Sequence, residues 1–196
     1  MTSKERVLTT FANQEPDRVP INYSANPDVD KRLKEHYGLQ PNDSGGLAKI
    51  LGVDFRGVGG SYKGGKLHED IPEKGVLVDN WGIHRRYVEH ESGGYWDYCD
   101  FPLKEATEEE IAEWKMPTPD DFDFSHVEEA CKRQQEFAIN GSGGFGDIIN
   151  GNGMLRGMEQ TLVDLITDDP AGLLLADRRV NTQIEITNRI LESAKG

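Results

Sequence analysis

Two short β-favouring runs, separated by helical stretches, constrain this chain more than any other feature. The first is Asp17-Arg18-Val19-Pro20-Ile21-Asn22-Tyr23 and the second is Val53-Asp54-Phe55-Arg56-Gly57-Val58. Between them, Val29, Leu33 and Tyr37 recur at fourfold spacing before Gly38, and Leu47, Ile50 and Leu51 precede Gly52, so two helices closed by C-terminal glycines are predicted there. Antiparallel strands can be joined by a tight turn, whereas parallel strands need a crossover of a dozen residues or more, usually helical. The order helix, strand, helix, helix, strand therefore predicts an α/β chain with parallel strands. Phe137-Ala138-Ile139-Asn140 reads as a third strand of the same kind.

The remaining segments are placed by their local signals. Thr2 with Glu5 forms a capping box ahead of Val7, Leu8 and Phe11, and the first helix stops before Pro16. Leu77 to Cys99, with Glu91-Ser92-Gly93-Gly94 as its turn, reads as an antiparallel hairpin, an excursion over about residues 75–100. Thr107 with Glu110 and Ser125 with Glu128 are two further capping boxes on short acidic helices, and the proline-rich stretch 116–121 connects them. Met154, Leu155, Met158, Leu162, Leu165 and Ile166 form one helical stripe, and Asp169-Pro170 starts a last helix reaching Leu191.

Composition narrows the partners. Of 196 residues, 35 are Asp or Glu and 22 are Lys or Arg, a formal charge of −13 that repels nucleic acid backbones and anionic lipid headgroups. No run approaches the ~20 apolar residues of a spanning helix and the N-terminus lacks a signal-peptide pattern, so a cytoplasmic protein with no membrane partner is expected. Cys99 and Cys131, with no CxxC and no Cys/His cluster around them, read as small apolar residues.

Four passages, in this order, resemble the N-terminal half of the uroporphyrinogen decarboxylase superfamily, which includes corrinoid-dependent methyltransferases beside the decarboxylases. They are Lys4-Glu5-Arg6-Val7-Leu8 through Glu15-Pro16-Asp17-Arg18-Val19-Pro20; Asp79-Asn80-Trp81-Gly82-Ile83; Phe101-Pro102-Leu103 with the run from Thr107 to Pro119; and Leu155-Arg156-Gly157-Met158-Glu159 with Leu165 and Asp169-Pro170. The resemblance implies that residues 1–196 are the N-terminal part of one (β/α)8 TIM barrel, a fold of typically about 250 residues, so a partial barrel with a β-hairpin insertion is expected. Its open edge asks for a C-terminal half or a homodimeric partner.

Within the superfamily, the decarboxylases carry an arginine-containing RQAGRY-like passage after the first strand, which binds the porphyrinogen carboxylates. Here that place reads Asn22-Tyr23-Ser24-Ala25-Asn26-Pro27. A tetrapyrrole would lose charge-assisted bonds worth on the order of 1.5 to 3 kcal/mol each. The resemblance thus implies a methyltransferase-like enzyme in its complete form, moving a methyl group from a corrinoid, supplied by a corrinoid protein, to a substrate thiol activated by zinc. In the family the zinc ligands, a His-x-Cys pair and a later Cys, lie in the C-terminal half, so no cofactor ligand is expected within this chain. Porphyrinogen decarboxylation in porphyrin biosynthesis is the alternative, and a catalytically silent, partner-binding fragment is a third.

Barrel active sites are built at the C-terminal ends of the strands. That rule nominates Asn22, Tyr23 and Ser24, then Gly57 and Gly59, then Ser142, Gly143 and Phe145 as residues facing a small-molecule substrate. For the glycines, positive φ in a turn is the simpler explanation. The 141–146 glycine-rich turn lacks Gly-Lys-Ser/Thr and is a weak nucleotide signal. Arg156 either reaches an anionic ligand or pairs with Glu159 one turn on. His84 and His90 share a strand face without a third ligand and read as surface histidines, while Trp81, Tyr95 and Trp96 read as packing residues.

Overall fold

Thr2 opens α1 (Ser3–Phe11) with the expected reciprocal box, its hydroxyl accepting from Glu5 N–H while the Glu5 carboxylate accepts from Thr2 N–H. The structure is a computed structural model and describes residues 1–91, 93–141 and 147–194. Asn26 caps α2 (Pro27–His36), where Pro27 needs no hydrogen-bond partner at the first helical position, and Asp43 caps α3 (Ser44–Ile50). Gly38 and Gly52 take positive φ just past these helices, as their C-terminal positions demand.

Then follow β1 (Phe55–Val58), the two-residue β2 (Ser61–Tyr62), β3 (Val76–Val78), β4 (His84–His90), β5 (Gly93–Tyr98), α4 (Glu108–Glu113), β6 (Phe122–Asp123), α5 (Val127–Arg133) and β7 (Ala138–Gly141). The chain continues through α6 (Ile148–Arg156) and α7 (Met158–Thr167) to α8 (Pro170–Ser193). The architecture is mixed α/β: β1 and β7 pair in parallel, β2 and β6 pair antiparallel, and β3-β4-β5 form an antiparallel meander. The described residues form no closed barrel.

Four local expectations need correction. Residues 17–23 form no strand: their one backbone bond to β1 is Asp54 N–H to Ile21 C=O at 2.8 Å, and Ile21 N–H donates to the Asp54 carboxylate, which stands where a ladder carbonyl would. The hairpin gains a third strand, β3, with Val76 and Val78 turned into the core. No Ser125–Glu128 box forms, because Ser125 N–H is taken by Asp123 Oδ1 at 3.0 Å and α5 begins two residues later. The apolar stripe of residues 154–166 is broken at Gly157, whose φ of +86° no right-handed helix tolerates. After the break α7 buries Thr161 and Asp164 and turns Leu162, Leu165 and Ile166 outward.

The long helix α8 ties the molecule together. Leu175 packs with Ile83, Leu103, Ile111 and Leu155 in one core cluster. Ile186 and Ile190 pack with Val127 in a second, against which Val58 rests. Positions 175 and 186 are eleven residues apart, close to three helical turns, so one stripe serves both clusters. Each fully buried Leu or Ile on it contributes about 1.5 to 3 kcal/mol of transfer free energy. Among the described residues no helix is long and apolar enough to cross a membrane. Cys99 and Cys131 are free and half-buried, as their isolated positions predict.

Candidate functional site

The parallel register sets Gly57 opposite Asn140 and Val58 opposite Gly141, and the bond from Asp54 N–H to Ile21 C=O holds residues 17–23 beside the start of β1. β7 is the paired neighbour of β1, and residues 17–23 touch its start. Asn22 and Tyr23 close residues 17–23 with Ser24 next, Gly57 and Gly59 flank Val58 at the end of β1, and Gly141 ends β7. All of these residues are uncharged.

Gly57 has no positive φ, and a Cβ added to it would meet nothing within 4 Å. Turn geometry therefore does not explain it; it leaves open space over the strand. Gly141 has a packing reason, since a Cβ there would sit 3.1 Å from the Ile190 side chain of α8. The Tyr23 phenol donates to Asp30 Oδ1 at 3.2 Å, and Asp30 is paired at 2.7 Å with buried Lys34. Lys34 spends further donors on Pro41 C=O and Ser44 Oγ. Burial, and then the bond to Asp30, push the Tyr23 phenol above its ordinary range, so this ring offers a neutral oxygen at the strand end.

The opposite end of β1 is densely charged. Asp54 is 0% exposed and accepts from Arg6 Nη1 at 2.6 Å, Arg18 Nη1 at 2.7 Å and Ile21 N–H at 2.8 Å. Arg6 also grips Asp17 with two parallel bonds of 2.6 and 2.8 Å. Burial alone would raise the Asp54 carboxyl; bonds from Arg18, Ile21, Ser3 and Arg6 outweigh it and hold the group well below the usual carboxylate range. Arg6 is raised in turn, first by its bond to Asp17. Sequence reading missed this network, although Arg6 beside Val7 on a helix face and Asp54 inside a β run are charges that ask for buried partners.

Arg156 lies elsewhere. Its guanidinium is buried and donates to Leu103 C=O, Ala106 C=O, Asp164 and Asp169, so its partner is not Glu159, and its donors are committed to the fold. Ser142, Gly143 and Phe145 lie outside the described residues. Among the described residues no group of three or more His, Cys, Asp or Glu side chains can hold a metal ion. No protein-family model, curated protein or solved structure matches the chain.

Proposed function

We propose that this chain is the N-terminal part of a (β/α)8 barrel of the uroporphyrinogen decarboxylase superfamily, and that the complete protein is a methyltransferase acting on a small thiol substrate in the cytoplasm. The observation that carries this reading is the parallel pairing of β1 with β7, with residues 17–23 tied beside the start of β1 by the bond from Asp54 N–H to Ile21 C=O. The outward-facing Val19 and Ile21 support it, because apolar surface beside a short parallel pair suits further strands and helices.

The neutral character of the strand ends favours methyl transfer over porphyrinogen decarboxylation. Arg6 and Arg18 are committed to Asp54 and Asp17 at the other end of β1, and Arg56, within β1, donates to the carbonyls of Val53 and Phe55 and lies over the Phe137 ring. In this reading Asn22, Tyr23 and Ser24 bind and orient an uncharged portion of the substrate, with the Tyr23 oxygen as an acceptor. Zinc would supply thiolate activation and a corrinoid the methyl group. Among the described residues no His, Cys, Asp or Glu group fits a zinc ion.

The test joins this chain with a C-terminal barrel half carrying a His-x-Cys and a later Cys and follows methylcobalamin demethylation by a thiol with zinc present. Turnover that falls when Tyr23→Phe is introduced supports the reading. Uroporphyrinogen turnover without metal would replace it with the decarboxylase. Silence toward both, with a complement shown to bind, would leave a partner-binding fragment.

A further inference from the structure

A second cleft opens far along the chain from the strand ends, between β3-β4 and the segment that runs from Phe101 into α4. It encloses about 790 Å³, within the size range of sites that hold small organic molecules, and none of residues 22–24, 57–59 or 141 lines it. Its walls are braced from behind. Arg156 donates to the carbonyls of Leu103 and Ala106 at 3.0 and 3.1 Å, Arg178 donates to those of Ile111 and Trp114, and Trp114 Nε1 donates to Trp81 C=O at 3.1 Å. Two guanidinium groups spent on wall carbonyls give a cleft that exists before any ligand arrives, which lowers the entropic cost of binding.

The lining divides by chemistry. Leu67, Val78, Phe101 and Pro102 give an apolar bed, closed at one side by Trp114 with His68 stacked on it at 4.7 Å. Around this bed stand Glu69, Glu105, Glu110 and Glu113 against Lys104 and Lys115, an excess of two negative charges. Glu110 is used by the Thr107 cap, while among the described residues Glu69, Glu105 and Glu113 have no ion-pair partner. His84, expected at the surface, is instead a half-buried wall residue. Its buried Nδ1 lies 3.6 Å from Asp100 Oδ2.

We propose that this cleft binds a small organic amine with an apolar body: the hydrocarbon lies on Phe101 and Pro102, and the ammonium donates toward the glutamate side. The carboxylates accept and carry the excess negative charge, so a cationic donor answers both; a neutral alcohol donates without the charge, and an anionic analogue is repelled.

The test uses the full chain and three probes of similar shape: phenethylamine, phenylethanol and phenylpropionate, followed by the indole resonance of Trp114. The amine gives a saturable shift about tenfold tighter than either analogue, as expected for charge-assisted bonds. Glu69→Gln with Glu113→Gln reduces its advantage to about threefold or less. Equal binding of the three probes, or no saturable shift of Trp114, overturns the proposal. Should the glutamine variant fold poorly, Lys104→Glu at an exposed position decides the sign: the amine must bind more tightly, and weaker or unchanged binding overturns the site.

Discussion

The antiparallel sheet and the parallel pair are built from similarly β-prone residues and held by opposite means. In β3-β4-β5 the paired residues are near in the chain: His90 faces Gly93, and even Arg85 and Tyr98 are only 13 positions apart. Its outer face is aromatic and wet, with Tyr87 and Trp96 in edge contact at 5.6 Å and both about half exposed. In the parallel pair Phe55 faces Ala138 across 83 positions, and the end where the strands begin is fastened by buried charge. Closing long loops costs more entropy than closing short ones. Four residues of strand cannot supply that by ladder bonds alone, so an ion network and α8 complete the attachment.

This contrast can be broken by substitution. Asp54→Ala leaves the buried Arg6 guanidinium without one of its carboxylates and should destabilise the chain by about 3 to 5 kcal/mol in urea unfolding. A loss no larger than that of a hairpin aromatic would erase the difference between the two regions. The pH dependence sharpens the same point. Because the folded Asp54 carboxyl is held below its unfolded value of about 3.9, its contribution is present above that pH and fades as pH falls toward the folded value. Stability of the wild type between about pH 5 and pH 2 should therefore drop more steeply than that of Asp54→Asn.

Smaller effects follow in order. Gly141→Val drives a side chain into Ile190 of α8 and should cost about 1 to 3 kcal/mol, read as a lowered thermal midpoint. Thr107→Ala removes the cap of α4 and should cost about 1 kcal/mol, with local amide exchange rising in residues 108–113. Trp96→Ala, on the exposed face of the meander, should cost only about 0.2 to 1 kcal/mol, the worth of one cross-strand pair. If it costs as much as Gly141→Val, the aromatic face is covered by something and is not a free surface.

Much of the secondary structure was legible because it is local. The boxes at Thr2 and Thr107 and the Asp169-Pro170 start are each complete within a few residues. Where a competing partner lay close by, the same signals failed: Asp123 took the Ser125 amide, and Gly157 cut a stripe that spacing alone joins. At the candidate site, Tyr23 was nominated as following a strand that the chain does not form, and Gly57 lies within β1. Arg156 was singled out correctly as a special residue and given the wrong partner, because Asp164 and Asp169 become its neighbours only when α7 and α8 fold back over α6.

By itself, the sequence determined the α/β alternation, most helix starts, the antiparallel excursion and the acidic surface, since each depends on backbone preferences or charge that act over a few residues. Tertiary structure alone decided that residues 17–23 lean on a carboxylate and not on a ladder, that α7 faces outward with its leucines, and that a braced cleft forms beside α4. Those outcomes depend on which distant groups satisfy buried charges and carbonyls, and a buried polar group chooses its partner by position in space, which no local pattern encodes.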